Sequence, residues 1–250
     1  IVGARRATSH GKWFAEKLSC DLAMAGVSVI SGMAEGIDGA SHVGALNAKG
    51  SGKTLAVLGN GVDICFPQVN LPLYRNLSKN GGIISEYAPG TPGIAYHFPE
   101  RNRIISALSD VVIVVEAREK SGSLITVCRA LDQGRDVMAI PGRITDPMSK
   151  GCNNLINMGA MIANSPEDVI KNLNIPFCEK NDKSVKRTIP LAKNEKIVYS
   201  TLDSAPKHVE DIVYLTGLPF NQVISILIEL EIKGMAVQIS SNYFACSFKT

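Results

Sequence analysis

Short apolar runs alternate with helical patterns over the first 173 residues of the chain. The apolar, mostly β-branched runs predict strands at 1–2, 27–30, 54–58, 83–85, 111–115 and 137–140. The segments between them carry the apolar spacing typical of helices, at 12–25, 38–48, 71–80, 101–109, 124–133 and 166–173. Because strands that alternate with helices favour a parallel sheet with helical crossovers, we predict a Rossmann-like, doubly wound, mostly parallel α/β fold.

The pattern changes after residue 173. Residues 174–190 are polar, lack a sustained period and end at a proline, which is typical of a linker. Three helical patterns and two β-like runs follow, at 194–200, 209–215, 219–233, 235–239 and 243–248. This order predicts a small winged-helix domain. We therefore divide the chain into a Rossmann-like domain at 1–173, a linker at 174–190 and a winged-helix-like domain at 191–250.

The composition is that of an ordinary globular protein, with 45% apolar and 20% charged residues. No run has the ~20 apolar residues that span a bilayer and no signal peptide is evident, so we expect a cytoplasmic protein without membrane contact. The six cysteines are scattered and the four histidines lack metal-ligand spacing, so neither a disulfide framework nor a metal site is predicted. Because the chain begins at Ile1 inside a predicted strand, without Met, we expect a fragment of a longer protein.

Polar, glycine-containing segments follow four of the predicted strands: VGARRAT, SGMAEGIDG, GNGVD and EAREKSGSLIT. Glycine lets the backbone approach a ligand, and the helix N-termini beyond these loops present unpaired N–H groups. The loops leave the same edge of the predicted sheet, which favours one composite anion site. The chain contains neither the G-x-G-x-x-G fingerprint of dinucleotide-binding proteins nor a Walker motif. The net charge of +3 is too small to indicate a nucleic-acid binder by itself, so the local arrangement must decide.

The segment FPERNRIISALSD at 98–110 carries the most informative charges. Pro99 and Glu100 suit the first turn of a helix, so Arg101 and Arg103 are predicted in that turn, where the helix dipole is already positive. A phosphate would offset this cost, whereas a solvated helix start with weak surface ion pairs remains the alternative. Phe98 beside them is open to two interpretations, base stacking and core packing.

Several long motifs resemble the DNA processing protein A family, also called DprA or Smf: SGMAEGIDGASHVGAL, TLAVLGNGVDICFP, GGIISEYAPG, FPERNRIISALSDVVIVVEAREKSGSLIT, ALDQGRDVMAIPGRI and GCNNLINMGA. The resemblance covers residues 1–164. It implies a cytoplasmic mediator, not an enzyme, that binds and protects single-stranded DNA and helps load the RecA recombinase during natural transformation. It further implies a homodimer without a cofactor. The predicted nucleic-acid-binding residues, from the motifs and loops together, are Arg5, Gly32, Phe98, Arg101, Asn102, Arg103, Ser121, Gly122 and Ser123.

Two other functions remain open. A nucleotide-processing enzyme, similar to phosphoribohydrolases, would use Glu116 as acid or base. Those enzymes carry PGGxGTxxE at the comparable turn, whereas this chain has SGSLIT without the later glutamate. A winged-helix transcription factor with a sensor domain is the third possibility. Against it, residues 191–250 hold five Lys and Arg and six Asp and Glu, and the predicted recognition helix has no cation before Lys233. We therefore predict weak duplex binding by this domain, which would act mainly in protein contacts.

Overall fold

The computed structural model describes residues 1–173, 175, 192–203, 206–233 and 235–246. The chain divides into two compact units, Ile1–Cys178 and Glu179–Thr250. The predicted linker at 174–190 lies outside the described residues apart from Ile175, and so does residue 191. The domain limits proposed from the sequence, at 173 and 190, therefore stay a prediction.

The first unit alternates helices with short strands, as the apolar pattern predicts. Its helices are α1 (Ser9–Met24), α2 (Ile37–Asn47), α3 (Leu71–Asn80), α4 (His97–Ala107), α5 (Ser123–Asp132), α6 (Lys150–Asn157) and α7 (Pro166–Asn172). Its strands are β1 (Val29–Ser31), β2 (Thr54–Leu58), β3 (Gly82–Ser85), β4 (Val111–Val114), β5 (Asp136–Ala139) and β6 (Met161–Ile162). The Rossmann-like fold is confirmed, whereas α6 and β6 were not predicted.

The strands of this unit form one parallel layer. Pairing in the order β1-β2-β3 and β4-β5-β6 gives two three-stranded sheets, which residues 1–2 connect. Val2 pairs in parallel with Val114, and the Ile1 nitrogen donates to the Ile30 carbonyl at 2.9 Å. Strands β1, β2 and β3 thus extend the layer on one side of residues 1–2. The chain then crosses back, and β4 extends the layer on the other side. This change of direction leaves a crevice at the carboxyl ends of the strands, where doubly wound folds bind ligands.

Strand β4 shows why the core has two sides. Val112 and Val114 pack into the cluster formed with α4, α5 and α6, whereas Ile113 and Val115 pack into the cluster formed with α1, α2 and α7. A strand covered on both faces needs apolar residues at every position, which explains its unbroken apolar run.

Helix α4 begins earlier than its pattern indicates. It starts at His97 rather than at residue 101, with Pro99 tolerated in the first turn because an N–H there has no helical acceptor. Arg101 and Arg103 therefore lie in the second turn, and the prediction that they share the first turn is wrong. Because residues two positions apart point to different sides of a helix, these two side chains do not face one site together.

The second unit is a winged helix, as predicted. It contains α8 (Lys193–Thr201), β7 (Lys207–His208), α9 (Val209–Thr216), α10 (Phe220–Ile232), β8 (Ala236–Ser240) and β9 (Tyr243–Cys246), with an antiparallel sheet in the order β7-β9-β8. Gly217, at φ +67°, ends α9 in the left-handed conformation and precedes the turn to α10. Strand β7 was not predicted, and the predicted end of the last strand, at 247–248, lies outside the described residues.

Helices α9 and α10 bury one face each in the core of this unit. Ile212 of α9 packs with Leu227 and Leu230 of α10 and with Phe244 of β9. Among the described residues no single helix is long and apolar enough to cross a membrane. Only α9 and α10 together reach that length and composition, and they are bent by 110°.

Candidate functional site

A cavity of about 470 Å³ opens where the chain leaves the short paired stretch 1–2 and strand β4. Its walls come from the loop before α1, from α4 and from the loop between β4 and α5. The cationic side chains that line it are Arg5, Arg6, Arg101, Arg118 and Lys120. Asp38 is the one carboxylate among the described residues of this lining. The crevice is therefore strongly basic although the chain is nearly neutral.

The cavity brings together most of the predicted site residues. Its lining includes Arg5, Phe98, Arg101, Asn102, Ser121, Gly122 and Ser123. Gly32 lies in a smaller cavity of about 100 Å³, which shares Arg5, Phe98 and Arg101 with the larger one. Arg103 lines neither cavity, because its position on α4 turns it away, and its guanidinium pairs with Glu86. The structure therefore does not place Arg103 beside Arg101 at an anion site.

Arg101 is held inside the protein. Its side chain is only 4% exposed, and Nη1 donates to the Val57 carbonyl and, at 2.8 Å, to the Gly32 carbonyl. Burial lowers the pKa of the Arg101 guanidinium, whereas the nearby Asp38 carboxylate raises it. A Cβ on Gly32 would lie 2.6 Å from Nη2, so this glycine makes room for Arg101 itself. Arg101 thus ties α4 to the sheet at the floor of the cavity.

Asp38 is the buried carboxylate whose charge acts on this arginine. It lies in the first turn of α2, is 7% exposed and accepts a hydrogen bond from the Gly32 amide at 3.2 Å. Burial raises the pKa of the Asp38 carboxyl, and the Arg101 charge lowers it. Each of these two charges thus lowers the electrostatic cost of burying the other, so a negative charge acts on Arg101 within the fold before any ligand binds.

An aromatic pair stands between the two cavities. The Arg5 guanidinium carbon lies 5.6 Å from the centre of the Phe98 ring, within cation–π range, and Phe98 stacks on Phe66 with ring centres 5.2 Å apart. Arg5 and Phe66 thus both contact the Phe98 ring, and a base that stacks on this ring competes with them for it. Phe66 is 43% exposed and lines the smaller cavity. Nothing in the sequence around Phe66 indicates this position, because it depends on the contact with Phe98, 32 positions later in the chain.

The segment 121–123 offers neutral donors at the start of α5. The Ser121 and Ser123 hydroxyls are 2.8 Å apart, and Gly122 caps the helix without a side-chain bond. A Cβ built on Gly122 would meet no atom within 4 Å. This glycine is therefore not required by packing. The Leu124 and Ile125 amides already donate to the Ser121 and Gly122 carbonyls, so the donors that this turn offers to a ligand are the amides at 122–123 and the serine hydroxyls.

Glu116 fastens the basic loop that carries Arg5 and Arg6. Its carboxylate accepts the Thr8 amide at 2.8 Å and the Thr8 hydroxyl, while its own carbonyl accepts the Ala4 amide at 2.8 Å. Both ends of the loop are thus bound to one residue at the end of β4. Glu116 is 8% exposed and is absent from the lining of the larger cavity. This geometry makes Glu116 a positioning residue for the loop.

Three cations of the cavity were absent from the predicted set: Arg6, Arg118 and Lys120. The sequence did contain a signal for these three cations, because each follows a strand and lies within a few positions of a predicted residue. Within the part of the chain that the structure describes, no group of three or more His, Cys, Asp or Glu is placed to hold a metal ion.

Family models match both units of the chain. The model for DNA recombination-mediator protein A matches residues 1–174, and that for the DprA winged helix domain matches residues 183–241. Protein Smf of Escherichia coli is 36% identical over 249 residues, covering 97% of this chain and 66% of that protein. DNA processing protein DprA of Bacillus subtilis is 43% identical over 182 residues, covering 72% of this chain and 61% of that protein. The aligned regions thus span about three fifths to two thirds of the length of these relatives.

Two solved structures share the fold of the first unit. DNA processing protein A of Streptococcus pneumoniae superposes with a TM-score of 0.64 at 44% identity, covering 68% of this chain and 59% of that one. The Helicobacter pylori protein, which binds single-stranded DNA, superposes with a TM-score of 0.61 at 31% identity, covering 70% and 78%. The matches to the family models and the relatives agree on one assignment: the chain belongs to the DNA recombination-mediator protein A family.

Proposed function

We propose that this protein binds single-stranded DNA in the larger cavity and acts as a recombination mediator. In this role it protects incoming DNA in the cytoplasm and helps load the RecA recombinase during natural transformation, working as a homodimer. The observation that carries the proposal is the basic cavity at the change of strand direction, with four exposed cations and the start of α5 on its walls. Membership of the family and the single-stranded-DNA binding of the Helicobacter pylori relative support it.

The chemistry of the walls favours phosphate over bases as the main ligand. Arg5, Arg6, Arg118 and Lys120 are exposed cations on loops that begin at strand ends, and phosphate oxygens accept their hydrogen bonds without regard to sequence. Serine hydroxyls and the helix amides at 121–123 add neutral donors. We therefore expect binding that is largely independent of base sequence and sensitive to salt.

Among the described residues at the larger cavity, the enzymatic alternative finds no carboxylate that is free of a partner or of burial. Glu116 is already bound by Thr8, and Asp38 is buried beside Arg101. We propose that the protein binds rather than hydrolyses its ligand. Incubation with nucleoside monophosphates should release no free base; release that disappears in Glu116→Gln would favour the phosphoribohydrolase interpretation instead.

Titration of the full chain with single-stranded and duplex DNA at several salt concentrations tests the proposal. Single strands should bind more tightly, and each phosphate neutralised should contribute about −0.7 to the slope of log affinity against log salt. Equal affinity for duplex, or affinity without salt dependence, would contradict it. The proposed help in loading RecA is tested separately, by measuring RecA filament formation on single-stranded DNA that is coated with a competing binding protein.

Replacement Phe98→Ala tests the aromatic pair. We expect the affinity for single-stranded DNA to fall by about 1–3 kcal/mol, the usual contribution of one stacked base, with the salt slope unchanged. Tyr96→Ala is the matched control, since Tyr96 is 70% exposed, near in sequence and absent from both cavity linings. If the slope becomes shallower in Phe98→Ala, the ring acts by holding Arg5 instead of by holding a base.

A further inference from the structure

The two helices of the helix-turn-helix expose large apolar side chains to solvent. On α10, Ile228 and Ile232 are 48% and 81% exposed and lie one turn apart on the same side. On α9, Tyr214 and Leu215 are 88% and 57% exposed. A single exposed apolar residue needs no explanation, whereas four large ones on two consecutive helices offer apolar area to a partner.

The same helices carry only negative charge. Glu210, Asp211, Glu229 and Glu231 are all exposed, and the sequences of α9 and α10 contain neither Lys nor Arg. Glu210 and Asp211 lie one turn before Tyr214 and Leu215, so carboxylates and apolar side chains share the exposed side of α9. We call these four apolar residues and four carboxylates the acidic apolar face.

This charge pattern argues against duplex DNA, which is the usual ligand of a winged-helix domain. A helix that reads duplex DNA brings Lys or Arg to phosphates and base edges, and four carboxylates would repel them. Elsewhere in this unit Lys207 pairs with Asp203 at 3.0 Å and Lys233 pairs with Glu195, so these cations are already compensated by carboxylates. A second copy of the face is also a poor partner, because it would bring eight carboxylates together.

We propose that the acidic apolar face binds a cationic amphipathic helix of another protein. An apolar stripe on that helix would cover Tyr214, Leu215, Ile228 and Ile232, and Lys or Arg residues flanking the stripe would meet the surrounding carboxylates. Apolar contact supplies affinity, and charge complementarity sets the choice of partner and the rate of association. This inference goes beyond the proposed DNA binding, which uses other residues and can fail independently.

The test uses the full chain and two synthetic peptides. Both are designed helices with one leucine stripe, flanked by lysines in one peptide and by glutamates in the other. The lysine peptide should bind at least 10-fold more tightly than the glutamate peptide, and added salt should weaken it. The double variant Ile228→Ser, Ile232→Ser should bind the lysine peptide at least 10-fold more weakly. Ile144→Ser, at an 87% exposed position of the first unit, should bind it unchanged.

Charge exchange makes the test specific to this face. In the variant Asp211→Lys, Glu229→Lys the lysine peptide should lose affinity while the glutamate peptide gains it. Equal affinity of the parent chain for both peptides, or an equal loss in Ile144→Ser, would overturn the proposal. It would also be overturned if duplex DNA bound the parent chain and lost that binding in the serine variant, or if the serine variant dissociated a dimer of the parent chain.

Discussion

Arg101→Ala is expected to destabilise the first unit by about 3–6 kcal/mol, because it removes the charged donor of two hydrogen bonds to buried carbonyls, each of which contributes about 1.5–3 kcal/mol. The variant removes the donors to the Gly32 and Val57 carbonyls, and it takes away one of the positive charges that act on the buried Asp38 carboxylate. Such a loss is a large part of the 5–15 kcal/mol by which single domains are typically stable. Urea unfolding followed by circular dichroism measures it directly.

The matched control is Arg103→Ala on the same helix. The Arg103 side chain is 47% exposed, and its pair with Glu86 is of the surface kind that contributes about 0–1 kcal/mol. We therefore expect the stability of this variant to be almost unchanged. If Arg101→Ala unfolds like the parent chain and loses only DNA affinity, Arg101 is a ligand-binding residue and its structural role is refuted.

The stability deficit of Arg101→Ala should also depend on pH. Burial raises the pKa of the Asp38 carboxyl, and Arg101 opposes that rise, so its loss raises the pKa further. A carboxyl whose pKa is raised by folding lowers the free energy of unfolding at pH values at which it is ionised. Protonation at lower pH removes this loss of stability. The difference in unfolding free energy between the variant and the parent chain should therefore shrink as the pH falls. A constant difference would mean that Asp38 is not the group left uncompensated.

Arg101 also illustrates what the sequence can and cannot predict about a site. Its charge does require a negative partner, as inferred from the helix pattern. The negative charge that acts on it belongs to Asp38, 63 positions away on α2, and its carbonyl acceptors belong to β2 and to Gly32 directly after β1. No local pattern specifies such a contact. The spacing of Arg101 and Arg103, in contrast, already indicates that two residues so placed on a helix point apart.

The fold was more predictable than the site because strands buried on both faces leave a clear signal. The apolar run of β4 and the span of β2 agree with the sequence patterns. Strand β6 has only two residues, too few for any period to appear. Helix α6, KGCNNLIN, is mostly polar, and tertiary contact holds it in place: the Gly151 amide donates to the Ala117 carbonyl at 2.8 Å, and Cys152 is buried.

The exposed cations of the cavity give the second large prediction. A triple variant, Arg5→Gln, Arg118→Gln, Lys120→Gln, should make the salt slope for single-stranded DNA shallower by roughly 2, at about 0.7 for each phosphate that is no longer neutralised. At about 0.1 M salt that corresponds to roughly 100-fold weaker binding. All three side chains are exposed, so the unfolding free energy should stay close to that of the parent chain.

A second triple variant separates local contacts from net charge. Lys79→Gln, Arg129→Gln, Lys171→Gln removes the same charge from exposed positions that do not line the cavity. Long-range attraction to DNA depends on total charge and would weaken equally in both variants, whereas displaced counterions are counted only where phosphates are bound. We expect the second variant to keep the parent slope. Equal losses of affinity in the two variants would mean that the strand is attracted by the protein as a whole and not bound in this cavity.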